Sequence, residues 1–240
     1  MVFFRFINIS FVGVYFFCAS VFAGISLDST RLIFSNTDKG QTIGVTSSQQ
    51  STVPYLVKAQ VLDDIKGNNT QTPFSVSPSL FRLEIGATNQ LRIIKTGDQI
   101  LPHDKESLFY LRVMALPARH PGNEPSQSDS QSAVVVSTGS IIKLFYRPKN
   151  FEISQQQAMS SLKFSRQGQS LTVSNPSPYF ITLSSLHVGE NNIHLSLEAQ
   201  NTMIPPFGSV VYPNVNTANK ITWQAINDHG GVEKFYANIQ

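Results

Sequence analysis

Residue types that could make or break covalent bonds are sparse in this 240-residue chain. The sequence contains no glycine-rich nucleotide loop, no H-E-x-x-H and no G-x-S-x-G, the patterns that place a phosphate, a zinc ion or a serine nucleophile. The only cysteine, Cys18, lies close to the N-terminus. The histidines lack metal-ligand spacing, and they are His103, His120, His187, His194 and His229. The sequence therefore predicts no enzyme, no metal site and no cofactor.

What remains is the hydrogen-bonding chemistry of one strand. Residues 133–146 are rich in β-branched and apolar side chains, which is typical of a strand. The preceding loop, residues 118–132, is too polar to order itself on a core, so we expect a mobile lead-in to an edge strand. An exposed edge recruits other chains. We therefore expect a partner to pair here, although consecutive valines also describe a strand covered on both faces.

The first 23 residues have the features of a secretory signal peptide. Arg5 precedes a short apolar run, and small side chains at positions 21 and 23 fit a cleavage site after Ala23. The run is too short to span a membrane. Export and removal of these residues would leave 217 of the 240, without a cysteine and hence without a disulfide.

Charge excludes one class of partner. The chain has 18 basic and 15 acidic residues, and only Arg5 of these lies in the predicted signal peptide. A net charge of about +2 on the remaining chain does not suit a strongly basic nucleic-acid binder.

From Gly24 onward, strand-like segments alternate with turn clusters, and no segment of helical period stands out. This pattern predicts an all-β protein built of sandwiches. In the first half we predict strands at residues 25–34, 41–47, 55–62, 74–77, 80–84, 89–94, 107–116 and 133–146. After Pro148, which cannot continue a strand ladder, we predict strands at 162–164, 170–175, 180–188, 193–197, 208–212, 220–227 and 234–239. Two domains are therefore expected, residues 24–147 and 148–240.

Several short strings resemble the periplasmic chaperones of the chaperone–usher pathway, which assemble pili and related fibres. The most characteristic are residues 101–110 (LPHDKESLFY) and 142–148 (IKLFYRP). The others are SLDSTR at 26–31, PYLV at 54–57, FRLE at 81–84, NPSPY at 175–179 and INDHGG at 226–231. Together they span nearly the whole chain after residue 23, in the order that the family shows.

The resemblance implies two immunoglobulin-like domains set at an angle with a cleft between them. Such a chaperone binds fimbrial subunits in the periplasm by lending an edge strand to the subunit's incomplete sandwich. It prevents their aggregation and delivers them to an outer-membrane usher without ATP. An exposed apolar edge also allows the free chaperone to cap itself by dimerising.

The resemblance also implies roles for individual residues. Aligned from Lys143, the family's pattern places Val134, Val136 and Thr138 on the face of the strand that enters the subunit. Arg31 and Lys143 match the pair that binds the subunit's C-terminal carboxylate. An arginine fork and a lysine point charge from two strands could fix the subunit's end and thereby the register of pairing.

Three further charges, Glu106, Arg147 and Asp228, match an ionic link between the two domains of the family. Their alternative interpretation is three separate surface charges of little energetic value. The loop before the lent strand resembles that of the long-loop branch, but that branch commonly has a disulfide near this loop and the chain has no cysteine after Cys18. The subclass is therefore left open.

Two other classes of protein fit parts of the pattern. An exported immunoglobulin-like adhesin or fibre subunit would use the valine-rich edge to polymerise, and its own groups would bury Arg31 or Lys143. A carbohydrate-active sandwich would need paired carboxylates in a pocket, and no pair in the sequence suggests one.

Overall fold

The computed structural model describes residues 24–67, 69–118, 136–215 and 218–239. The predicted signal peptide, residues 1–23, lies outside these ranges. Residues 119–132 of the predicted mobile loop and residues 133–135 of the predicted edge strand also lie outside them. Nearly all of the regular secondary structure in the described chain is strand, and it forms two sandwiches, as the alternation of strand and turn segments predicts.

Nine strands in two sheets form the described part of the first sandwich. One sheet has the order β1-β3-β7-β5 and the other β2-β9-β8-β4-β6. The strands are β1 (Ile25–Leu27), β2 (Arg31–Ser35), β3 (Gln41–Ser47), β4 (Tyr55–Leu62), β5 (Phe74–Ser77), β6 (Leu80–Leu83), β7 (Thr88–Lys95), β8 (Ser107–Pro117) and β9 (Thr138–Arg147). Most neighbours are antiparallel, but β2 runs parallel to β9.

The described part of the second sandwich begins with one short helix and contains the other eight strands. Its sheets have the orders β10-β11-β15 and β13-β12-β16-β17, and β14 pairs with β12. The elements are α1 (Gln155–Ser160), β10 (Lys163–Gln167), β11 (Ser170–Ser174), β12 (Ile181–Val188), β13 (Asn191–Asn192), β14 (Met203–Ile204), β15 (Ser209–Tyr212), β16 (Lys220–Ile226) and β17 (Val232–Asn238).

Two expectations for the second half are wrong. Helix α1 was not expected; Ser154 and Gln157 start it with a capping box, in which each side chain accepts a hydrogen bond from the other's backbone N–H. Residues 193–197 do not form a strand. The side chain of Asn201 forms hydrogen bonds with the backbone of this segment instead. Its Oδ1 accepts from the Ser196 N–H at 2.8 Å, and its Nδ2 donates to the His194 carbonyl at 3.0 Å.

Two long predicted strands are shorter in the structure. The first, residues 25–34, is interrupted after Leu27, because β1 pairs with β3 whereas β2 pairs with β9 in the opposite sheet. The last strand of the first sandwich begins at Thr138, so Val136 and Ser137 precede it. Continued by two residues, the register that pairs Ala115 with Thr138 would place Val136 opposite Pro117, which has no N–H to donate.

Each sandwich encloses its own hydrophobic core. The first core runs from Leu32 to Tyr146, and the second runs from Ala158 to Ala225 with Phe151 packed against it. The predicted domain boundary after Arg147 stays a prediction. In the described part of the chain, no helix has the length and apolar character that a membrane crossing requires.

Candidate functional site

The register of β9 assigns its side chains to two faces. Its even-numbered residues, such as Ile142 and Leu144, lie opposite Leu111 and Phe109 and pack in the first core. Because strand side chains alternate, the odd-numbered residues point away from that core. Lys143 is one of them, and the parallel ladder sets Arg31 of β2 directly beside it.

Arg31 and Lys143 form a pair of like charges at the boundary between the sandwiches. The Arg31 Nη1 donates to the Ile226 carbonyl at 3.1 Å, and the Lys143 Nζ donates to the Thr182 hydroxyl at 3.1 Å. Both acceptors belong to the second sandwich. Within the described residues neither cation forms an ion pair, and the buried Arg31 Nε has no hydrogen-bond partner.

The surroundings of these cations oppose their charge. Burial, reinforced by repulsion from Arg31, lowers the pKa of Lys143 to about 8. Burial also lowers the pKa of Arg31, against the attraction of Asp228 and Glu106. Two adjacent, partly desolvated cations that form no ion pair with any described residue are chemically suited to bind an anion.

Side chains of β9 contact side chains at the start of β12 and just before it. The rings of Phe145 in β9 and of Phe180, the residue before β12, lie 6.0 Å apart. Two residues before Phe145 and two residues after Phe180, Lys143 contacts Thr182. On the same face of β9, exposure rises from 3% at Phe145 to 43% at Ile141. The two surfaces therefore touch at Phe145 and have separated by Ile141, so the cation pair lies where the contact opens to solvent.

Beside the cation pair, part of β9 is a free strand edge. Strand β2 pairs only with residues 143–147, and no other described strand pairs with residues 138–142 on that side. Of the three predicted donor residues, Thr138 starts the strand, and Val136 precedes it with 72% of its surface exposed. Val134 lies outside the described residues.

Arg147 joins the two sandwiches by ionic hydrogen bonds. Its Nε donates to the Glu106 Oε1 at 2.6 Å, and its Nη1 and Nη2 donate to both Asp228 carboxylate oxygens at 2.6 and 2.8 Å. The guanidinium also lies 4.8 Å from the centre of the Tyr179 ring. The structure thus brings Glu106, Arg147 and Asp228 together at the boundary between the sandwiches.

Burial and charge shift the pKa values of Glu106 and Arg147 in this link. Burial raises the pKa of Glu106, although Arg147 and the Phe180 N–H, which donates to its Oε2 at 2.8 Å, oppose the rise. For Arg147, burial favours the neutral form, but the hydrogen bonds and attraction of Asp228 and Glu106 outweigh it and raise its pKa. Arg147 is therefore a permanently charged crosslink.

Sequence reasoning missed the groups of the second sandwich that contact the cations, namely Thr182, the Ile226 carbonyl and the Tyr179 ring. The only available signal was position, because Tyr179 lies within the NPSPY string and Ile226 begins INDHGG. No group of three or more metal-ligating side chains that could hold an ion occurs among the described residues.

Solved structures define the class to which this fold belongs. The complex of the Salmonella enterica SafA pilin with the SafB chaperone matches with a TM-score of 0.75 and 30% identity, over 92% of this chain and 99% of the matched chain. The periplasmic chaperone SfaE matches with a TM-score of 0.72 and 32% identity, over 90% and 100%. The fold is therefore that of a two-domain fibre-assembly chaperone.

The chain belongs to the PapD family of pilus-assembly chaperones, which are not enzymes. The family described as "Pili and flagellar-assembly chaperone, PapD N-terminal domain" matches residues 24–152, and "Pili assembly chaperone PapD, C-terminal domain" matches residues 157–237. The Escherichia coli chaperone FocC is 33% identical over 221 residues, which are 91% of this chain and 91% of FocC.

Proposed function

We propose that this chaperone binds fimbrial subunits by strand addition along the free edge of β9 and by capture of the subunit's C-terminal carboxylate. The observation that carries the proposal is the placement of Arg31 and Lys143. They lie side by side without a described counter-ion, at the end of the unpaired edge and where the two sandwiches separate.

Strand addition supplies backbone hydrogen bonds, and alternate side chains supply the apolar contact. Val134, Val136 and Thr138 form the lent face; the parity of Val136 and Thr138 is that of Ile142, whose side chain enters the first core. The same face would thus continue from the chaperone's core into the subunit. Burial of each valine contributes roughly 1.5–3 kcal/mol.

The carboxylate anchor fixes the register of this pairing. A carboxylate held by Arg31 and Lys143 sets the last residue of the subunit beside Lys143, so each preceding residue has one position along β9. A slip by one residue would turn every side chain to the wrong face. The anchor therefore makes binding specific for the C-terminus of a chain, because internal segments of a polypeptide have no terminal carboxylate.

The ionic link of Glu106, Arg147 and Asp228 holds the two sides of the site in place. Its three strong hydrogen bonds connect β9 and the loop before β8 to the turn after β16. Movement of the second sandwich would shift Thr182 and the Ile226 carbonyl away from the cations. The link therefore fixes the relative position of the two sandwiches and has no chemical role of its own.

The proposed site of action is the periplasm, reached by a signal peptide that is removed after Ala23, and the domains are residues 24–147 and 148–240. SfaE is a periplasmic chaperone, which supports this location. The chaperone would hand subunits to an outer-membrane usher. Exchange of the lent strand for a better-fitting one would drive release, so no nucleotide is needed.

Co-expression in the periplasm tests the proposal. Tagged chaperone is produced with a fibre subunit from the same organism, as wild type, Lys143→Ala and the control Lys163→Ala, which removes an exposed lysine of β10. We expect a one-to-one complex with wild type and control, and none with Lys143→Ala. Equal capture by all three, or self-polymers instead of a complex, would contradict the proposal.

A further inference from the structure

Of the two groups of the second sandwich that accept hydrogen bonds from the cation pair, one is a side chain, that of Thr182. The Thr182 side chain is buried, and its hydroxyl oxygen accepts a hydrogen bond from the Lys143 Nζ at 3.1 Å. A lysine ammonium has three donors. With one directed to Thr182, two remain for a bound carboxylate.

Thr182 is itself held by its neighbours. Its strand, β12, pairs through Thr182 with Met203 of β14 and through later residues with β16. Two residues earlier, the Phe180 N–H donates to the buried Glu106 carboxylate and the Phe180 ring packs on Phe145. The hydroxyl is therefore fixed relative to β9, on which Lys143 lies.

We infer that Thr182 is a positioning residue of the carboxylate anchor: it orients the Lys143 ammonium from the second sandwich, so the anchor is complete only when both sandwiches are docked. The inference rests on the proposed function of Arg31 and Lys143. Thr182 is not assigned a contact with the subunit; it acts through Lys143.

Two physical consequences separate this role from simple packing. An acceptor on the ammonium favours the charged form of a buried lysine, so its loss must lower the pKa of Lys143 further. It also restricts a long, flexible side chain before the ligand arrives. Without it, that ordering would occur on binding, which weakens binding by about three- to tenfold.

The test compares wild type with Thr182→Val, which keeps the shape but removes the hydroxyl, and Thr182→Ser, which restores it. In free protein labelled with ¹³C-lysine, the Lys143 resonance, assigned with Lys143→Met, is titrated. Binding is then measured with a synthetic peptide of the last fifteen or so residues of the SafA pilin, as a free acid and as an amide.

We expect Thr182→Val to lower the Lys143 pKa and to weaken the free-acid peptide about three- to tenfold, with little change for the amide. Thr182→Ser should restore both quantities. An unchanged Lys143 pKa in Thr182→Val would overturn the inference, as would free-acid binding equal to wild type. If wild type does not distinguish acid from amide, the proposed anchor fails, whereas the titration in free protein still decides whether Thr182 orients Lys143.

Discussion

Replacement of Arg147 by Met tests how much the interdomain link contributes. The substitution removes a guanidinium that makes three hydrogen bonds to Glu106 and Asp228, while a side chain of similar length still covers Tyr179. The Glu106 side chain is only 1% exposed, and that of Asp228 is 25% exposed. The variant therefore leaves two carboxylates without their cation: that of Glu106, which is almost fully buried, and that of Asp228, which water reaches.

Loss of one partner from a buried ion pair typically costs about 3–5 kcal/mol, because the remaining charge stays desolvated. Asp228 is partly solvated and Glu106 keeps the Phe180 N–H, so we expect about 3 kcal/mol for Arg147→Met. Arg82→Met is the matched control. Its Nε also lies 2.6 Å from a glutamate Oε1, that of Glu84, but the two side chains are 61% and 60% exposed. Such a pair contributes less than about 1 kcal/mol.

Urea denaturation at pH 7 measures both variants, followed by far-ultraviolet circular dichroism and by the fluorescence of Trp223, the only tryptophan. Trp223 is buried in the second core and so reports on that sandwich. Equal losses in Arg147→Met and Arg82→Met would refute the argument from burial. Adding Glu106→Gln to Arg147→Met should recover part of the lost free energy of unfolding, since it removes the unpaired buried charge of Glu106.

The pH dependence of the same variant has a definite sign. In wild type the pKa of Glu106 is raised above its ordinary 4.5, and loss of Arg147 must raise it further. Between 4.5 and that raised value the folded state binds more protons than the unfolded state, so stability falls as pH rises. The deficit of Arg147→Met should therefore shrink as pH is lowered from 7 towards 5. A deficit that grows on acidification would contradict this assignment.

Three further predictions concern β9. Lys143→Met should stabilise the free protein at pH 7 by on the order of 1–2 kcal/mol, because it removes a desolvated charge. The pKa of Lys143 is about 8 in the folded state and 10.5 ordinarily, so the unfolded state binds more protons between those pH values. The stability of the wild type against urea should therefore rise from pH 8 to 10.5, and that of the variant should not. Leu144→Ala, in the first core, should cost about 2–5 kcal/mol in urea denaturation, whereas Ile141→Ala on the opposite face should cost under about 1 kcal/mol. Gly139→Ala should cost about 1–3 kcal/mol by the same measurement, because an added Cβ would lie 2.8 Å from the Val113 carbonyl oxygen.

Local signals were sufficient for most strands. The predicted bounds 41–47, 55–62 and 74–77 agree with β3, β4 and β5 because turn residues close each segment on both sides. The expected strand at 193–197 was wrong because apolar alternation does not show that the Asn201 side chain will compete for the backbone of that segment. Hydrophobic pattern alone therefore fails where a single polar side chain organises a loop.

The site depends on contacts that no local pattern contains. Arg31 and Lys143 are 112 positions apart and meet because two strands pair in parallel, an arrangement that only the family resemblance could suggest. The contact of Lys143 with Thr182 crosses between two sandwiches, and the register of each strand decides it. Parity along β9 could be extrapolated from Lys143, but the free edge beside residues 138–142 depends on where β2 begins.

The two ionic clusters at the boundary have opposite energetic roles. At Arg147 opposite charges are matched, so that cluster favours the docked arrangement of the sandwiches. At Arg31 and Lys143 two like charges lie side by side and are partly desolvated, which disfavours the free protein; burial first, and repulsion from Arg31 second, lower the pKa of Lys143 to about 8. An anion bound there would relieve the repulsion, so part of the binding free energy is stored in the free chaperone as an unfavourable interaction. The matched cluster is needed for this, because without it the sandwiches could move apart and let water relieve the repulsion instead. Capture of a carboxylate should therefore weaken when either cluster is broken, even though breaking the first destabilises the fold and breaking the second stabilises it.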